Sequence, residues 1–220
     1  MQQTKQLPHY YAKPTWENNI GYLVDSRGNR LPGITSILET TKPKTEKQRL
    51  INWQKKVGKT QANQISQTAR KRGILIHKQI QNYLQNKPIS CPPTIETYWD
   101  KILPFLENIH EIKLLEGHVF HYYEGYSGRV DCVASFYNIP CVIEFQSANR
   151  IKPLADEPLQ LAAYCGAINR QYGLRLNNAL LIVTTPQETN ATWFEPDEVM
   201  KYWHQWQQRV ADFWQLQGVA

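Results

Sequence analysis

The sequence predicts an α/β fold: a mixed central β-sheet flanked by helices, with an N-terminal helical region, in a single domain over residues 1–220. Three observations predict it. Residues 116–123, 128–137 and 141–147 are rich in Val, Ile, Tyr and Phe and lie close together, as successive strands do. A helical stretch at 157–172 and an apolar run at 179–184 follow, and strands alternating with a helix build a mixed sheet. With 220 residues, 41% of them hydrophobic and 11% aromatic, the chain can bury one large core, which excludes a disordered polymer.

Residues 1–19 are polar and read as irregular. A hairpin follows, in which Gly21-Tyr22-Leu23-Val24 and Leu31-Pro32-Gly33-Ile34 flank the turn formers Asp25-Ser26-Arg27-Gly28-Asn29. A short helix is expected near Thr35. Residues 45–86 have helical composition, with Gly73 either breaking the helix or admitting a close neighbour. Pro88 and Cys91-Pro92-Pro93 end that region, and a helix over 94–108 carries Pro104 as a kink. Residues 1–115 are thus the hairpin and helical region, and 116–220 the sheet core. That core includes a short strand at 191–195 and an amphipathic helix at 197–217 bearing Trp203, Trp206 and Trp214.

No apolar run approaches the roughly 20 residues of a membrane span, and Met1-Gln2-Gln3-Thr4-Lys5 lacks a signal peptide's apolar stretch. The expectation is an intracellular, cytoplasmic protein with no membrane partner. Cys91, Cys132, Cys141 and Cys165 are scattered, which argues against a zinc or iron–sulfur site. The net charge of +6 is concentrated: residues 41–72 hold ten Lys and Arg against Glu46 alone, a local +9. Lys55, Lys56, Lys59, Arg70, Lys71 and Arg72 are the candidate nucleic-acid-binding residues, the alternative being a solvated helical face. Trp53 among them either stacks on a base or anchors the helix to the core.

The acids of the strands carry the chemistry. Side chains alternate along a strand, so Asp131 shares a face with Val133 and Ser135, and Glu144 shares one with Gln146. A two-residue turn at Asn138-Ile139 pairs Tyr137 with Pro140, which sets Asp131 across from Gln146 and diagonal to Glu144. Two carboxylates converging on one sheet face repel unless a positive group separates them, and their oxygens suit a hard cation such as Mg2+ or Mn2+. A protonated or solvent-facing pair on an edge strand is the alternative. Gln160 and Tyr164 share a helix face, as do His77 and Gln81, each pair four residues apart.

In this order the residues resemble the PD-(D/E)XK nuclease superfamily, in its RecB-type branch that holds the mitochondrial genome maintenance exonuclease-like proteins. Leu31-Pro32-Gly33-Ile34-Thr35-Ser36-Ile37-Leu38 looks like the family's opening proline-serine-valine-threonine segment. Arg72-Gly73-Ile74-Leu75-Ile76-His77 looks like its arginine-glycine-threonine-x-x-histidine motif. Gly128-Arg129-Val130-Asp131 is similar to the glycine-x-x-aspartate strand, Val142-Ile143-Glu144-Phe145-Gln146 to the acid-x-lysine strand, and Gln160-Leu161-Ala162-Ala163-Tyr164 to the glutamine-x-x-x-tyrosine helix. The resemblance covers roughly residues 20–215 and implies a restriction-endonuclease-like αβββαβ core.

By that resemblance Asp131 and Glu144 are metal ligands, joined by the backbone carbonyl of Phe145, with His77 as a further ligand or close neighbour. Gln160 and Tyr164 orient the phosphate or the strand. The family's lysine is replaced by Gln146, and its acid four residues after the histidine by Gln81. Losing one preorganised electrostatic donor costs about a hundred- to thousandfold in rate, for which Arg150 or Lys152 could compensate. The implied function is a metal-dependent DNA exonuclease acting on single strands or duplex ends. The alternative is a catalytically silent nucleic-acid-binding protein of the same fold, and a purely structural role leaves the local +9 unexplained. Oligomeric state is not legible.

Overall fold

The computed structural model describes residues 6–218; the start read above as lacking a signal peptide lies outside them. Three strands open the fold, β1 (Ala12–Glu17), β2 (Ile20–Asp25) and β3 (Arg30–Pro32), joined in an antiparallel sheet of that order. The predicted hairpin is β2 and β3, but β1 falls within residues expected to be irregular. Its Pro14 lies opposite Leu23 on an edge strand, where a missing N–H is tolerated.

Four helices follow: α1 (Ile34–Thr40), α2 (Lys44–Val57), α3 (Lys59–Leu84) and α4 (Glu96–Leu106). The stretch expected as one helix over 45–86 is therefore two, parted at Gly58, whose φ of +85° suits glycine and ends α2. Gly73 has neither expected role. It continues α3, and beyond its chain neighbours and the helix's own backbone no heavy atom lies within 4 Å of where a Cβ would stand. None of the residues of α2 is buried, whereas the second half of α3 buries Ile76, Ile80 and Leu84.

The main sheet has five strands in the order β4 (Ile109–His121), β5 (Tyr126–Phe136), β6 (Ile139–Ser147), β7 (Ala179–Thr184), β8 (Thr189–Phe194). The first three form an antiparallel meander. β7 lies parallel to β6 across the crossover helix α5 (Glu157–Tyr172), β8 returns antiparallel, and α6 (Pro196–Leu216) closes the chain. This is the mixed α/β sheet the sequence predicts. β4 begins earlier than expected, because a bulge between His110 and Leu114 carries the ladder past an irregular stretch.

The sheet separates two apolar clusters. Leu161, Ala163, Tyr164, Trp206 and Phe213 pack with Val133 and Val142 on the α5 and α6 side, while Ile76, Ile80, Trp99 and Ile102 pack with Cys132, Ile143 and Phe145 on the α3 and α4 side. The small sheet docks on β5 where Ser127 Oγ donates to the carbonyl of Leu31 at 2.9 Å and Gly33 bridges to Ser127. Among the described residues no helix is long and apolar enough to cross a membrane.

Candidate active site

The β5–β6 hairpin turns at Tyr137 and Asn138, both with positive φ (+46° and +66°), as a two-residue hairpin loop of the primed kind requires. Phe136 then pairs with Ile139, not Tyr137 with Pro140. The ladder runs from that pair to Cys132 and Ile143, and continuing its register sets Asp131 directly across from Glu144. The sequence-derived register, with Gln146 opposite Asp131, is corrected accordingly.

Beyond Cys132 and Ile143 the strands part, β5 staying with β4 to Tyr126 and β6 with β7 to Ser147. The parting opens a notch in the sheet. At its apex the backbone N–H of Phe145 donates to Asp131 Oδ2 at 2.9 Å, so a carboxylate takes the place of a ladder carbonyl. This bond fixes one oxygen of Asp131, a residue 6% exposed, and leaves Oδ1 turned to other partners.

Side chains from both layers meet in the notch. From α3, His77 Nδ1 stands 3.4 Å from Asp131 Oδ1 and 3.7 Å from Glu116 Oε1. From α5, Gln160 Nε2 donates to Glu144 Oε1 at 2.6 Å and lies 3.4 Å from the Tyr164 hydroxyl. Glu144 is 8% exposed, and its Oε2 is buried with no hydrogen-bond partner. An orphaned buried carboxylate oxygen is costly, and costlier beside a second acid.

The electrostatics follow. Burial, then the charge of Asp131, push the Glu144 carboxyl well above the usual carboxylate range, and His77 only partly offsets them. Burial by itself would lower His77, but its contacts with Asp131 and Glu116 and the charges of Asp131 and Glu144 raise it to about 10. The cluster therefore draws positive charge to itself. One ligand atom each from His77, Glu116 and Asp131 lies within 4.8 Å of the others, close to the span of opposed ligands on a hard cation bonded at about 2.0–2.6 Å.

Of the predicted residues, the structure brings together His77, Asp131, Glu144, Gln160 and Tyr164. Phe145 contributes its N–H to Asp131, while its side chain packs with Ile143 in the α3-side cluster. Gln146 is half-buried two residues beyond Glu144. Lys55, Lys56, Lys59, Arg70 and Lys71 are exposed on α2 and α3. Arg72 departs from the expectation of a free phosphate-binding side chain. It bonds Asn149 Oδ1 at 2.6 Å and Ser147 Oγ at 3.3 Å and lies over the Tyr98 ring, pinning α3 to the end of β6.

Sequence reasoning missed Glu116, which reaches the notch because Gly117 pairs with Val130 and Leu115 with Cys132. A loop ending at Gly125 would have given this register, since His121 opposite Tyr126 brings Glu116 to Asp131. Gly128 has a steric reason: a Cβ there would stand 2.8 Å from Ile34 Cδ1 and 2.9 Å from Tyr164 Cε1. Gly128→Ala is expected to displace the Tyr164 ring and to destabilise the fold by about 1–3 kcal/mol, measured by urea unfolding.

No protein-family model matches the chain. Among solved structures, that of SSO0001 is 16% identical with a TM-score of 0.40, covering 77% of this chain and 71% of that one. The chain is 28% identical over 200 residues to mitochondrial genome maintenance exonuclease 1 of Xenopus tropicalis, covering 83% of this chain and 57% of that protein. To the Mus musculus protein of the same name it is 28% identical over 204 residues, 86% and 60% of the respective chains. The Homo sapiens protein is 23% identical over 206 residues, 84% and 58%. The chain thus spans between half and two thirds of the length of these curated relatives. Over most of its own length, it is a homologue of proteins named exonucleases.

Proposed function

We propose that this chain is a metal-dependent DNA nuclease of the PD-(D/E)XK type, an exonuclease that hydrolyses phosphodiester bonds on single strands or DNA ends. The observation that carries the reading is the unpartnered, buried Oε2 of Glu144 in a notch shared with Asp131, Glu116 and His77. The exonuclease-named relatives support the same reading.

His77, Glu116, Asp131 and Glu144 are suited to hold Mg2+ or Mn2+, with the Phe145 carbonyl as a further donor. A cation there supplies an acidified water and a sink for charge on the phosphate. Gln160 fixes the orientation of Glu144 through its 2.6 Å bond, and Tyr164 backs Gln160. Gln146 offers an amide to orient water, and Lys55, Lys56, Lys59, Arg70 and Lys71 offer charge to the DNA backbone. One observation favours a second reading, a silent nucleic-acid-binding protein: Gln146 is neutral and cannot stabilise developing negative charge as a cation does.

Cleavage of labelled single-stranded and duplex DNA, with chelator and with Mg2+ or Mn2+ restored, separates the two. Loss on chelation and return with metal are expected; binding without cleavage under either metal selects the silent protein. Stability gives an independent check. His77 and Glu144 both have folded pKa values above their ordinary ones, so the metal-free native state binds more protons than the unfolded chain. Their contribution is complete at acid pH; that of Glu144 begins to fall above about 4.5 and that of His77 above about 6.5, being lost towards pH 10. In chelator the melting temperature should fall over that range, and added metal should raise it more at higher pH. A metal-independent melting temperature would remove the proposed ligand set.

A further inference from the structure

Residue by residue, the notch is rich in acids: Glu116, Asp131 and Glu144 surround it, together with Gln160, Tyr164 and His77. Apart from the proposed metal and His77, a phosphate entering such a place meets negative charge unless a further cation is held at the rim. Arg72 does not serve, since Ser147, Asn149 and the Tyr98 ring engage it. Arg129 is placed differently. Its Nε stands 3.0 Å from Glu116 Oε2, on a side chain that is 60% exposed.

The backbone sets this placement. Arg129 pairs with His118 of β4 and precedes Asp131 by two residues on β5, so both stand on the same face, about 7 Å apart along the strand. Its ion pair with Glu116 is made at Nε, and neither Nη atom hydrogen-bonds to another of the described residues. A planar fork anchored on one edge and open on the other matches the geometry of phosphate oxygens. An exposed ion pair contributes little stability on its own account.

We infer that Arg129 is a phosphate-binding residue of this site, held at the rim of the notch by Glu116 so that its Nη groups take the oxygens of the DNA phosphate entering beside Asp131. The inference rests on the nuclease reading of the notch and deepens it by naming a side-chain cation that meets the phosphate beside the metal site. Glu116 then has two roles, one oxygen facing His77 and the other positioning Arg129.

The test compares native chain, Arg129→Ala and Arg129→Lys by three measurements. The first is binding of a labelled single-stranded oligonucleotide in chelator as salt is varied, where no cleavage interferes. Arg129→Ala should reduce the slope of log affinity against log salt by about one phosphate contact, and Arg129→Lys should keep it. The second is cleavage with Mg2+ or Mn2+, where Arg129→Ala should lower kcat about a hundredfold, with partial recovery in Arg129→Lys or on adding guanidinium to Arg129→Ala. The third is melting temperature, which should barely move.

A salt slope unchanged in Arg129→Ala overturns the inference, whether or not the native chain cleaves. A lowered kcat with a native slope, a large fall in melting temperature and no rescue by guanidinium also overturns it, assigning Arg129 to structure alone. Failure of the native chain to cleave under either metal, with a slope that drops in Arg129→Ala, overturns the nuclease reading and leaves Arg129 as a phosphate contact of a binding protein.

Discussion

Glu144→Gln is expected to yield a chain that is more stable than the native protein when metal-free, and at least about a hundredfold slower in cleavage. Both effects come from one side chain. Glu144 is nearly sealed from solvent, faces the charge of Asp131 and has an oxygen without a partner, so folding near neutral pH must bind a proton there that the unfolded chain does not carry. The amide is neutral in both states, can still meet Gln160, and presents a donor towards the acids, which should add about 1–2 kcal/mol of stability near neutral pH. A neutral amide is also a poor ligand for a hard cation, so the metal is lost with the rate. Urea unfolding in chelator and cleavage in Mg2+ measure the two sides. A variant that is less stable and fully active would show that Glu144 is a structural acid, and the proposed centre would have to be abandoned.

Reversing Lys55, Lys56 and Lys59 to Glu together should weaken binding to single-stranded DNA about a hundredfold at roughly 50 mM salt, equally for unrelated sequences, and flatten the salt dependence. The fold should survive, since Lys55, Lys56 and Lys59 are all exposed. Lys59 is instructive because it opens α3, at the end of a helix where a cation is disfavoured and an acid favoured. Its charge does not serve the helix. Anisotropy titrations at several salt concentrations decide the matter, and unchanged affinity with an unchanged slope would make these lysines an ordinary solvated face.

The fold class was legible because it rests on local pattern: α5 and β7 fall where composition places them, and the meander follows from three β-rich runs. What escaped was register. The hairpin loop uses Tyr137 at positive φ, a conformation that tyrosine does not advertise, so the residue pattern places the turn one residue late. A shift of one place in the loop moved Asp131 from opposite Glu144 to opposite Gln146. Glu116 was hidden for a related reason, since its approach to Asp131 depends on a second, non-local pairing between β4 and β5. Arg72 looked like one more cation in a basic run, and its partners Ser147 and Asn149 lie some 75 residues further along. Edge strand β1 was masked by Pro14 and by its polar neighbours.

The helix that buries nothing has a consequence for hydrogen exchange and proteolysis. With no residue of α2 in either apolar cluster and Gly58 separating it from α3, its opening is nearly independent of the global unfolding equilibrium. Amides over Lys44–Val57 should exchange orders of magnitude faster than those of β5, and a protease should cut there while the sheet stays folded. Isolated helices of 14 residues are marginal in water, so a polyanion bound along its lysines would add order to α2. Conformational entropy lost on binding would then make the measured affinity smaller than the phosphate contacts alone imply, and protection from exchange over this one helix would report an occupied surface.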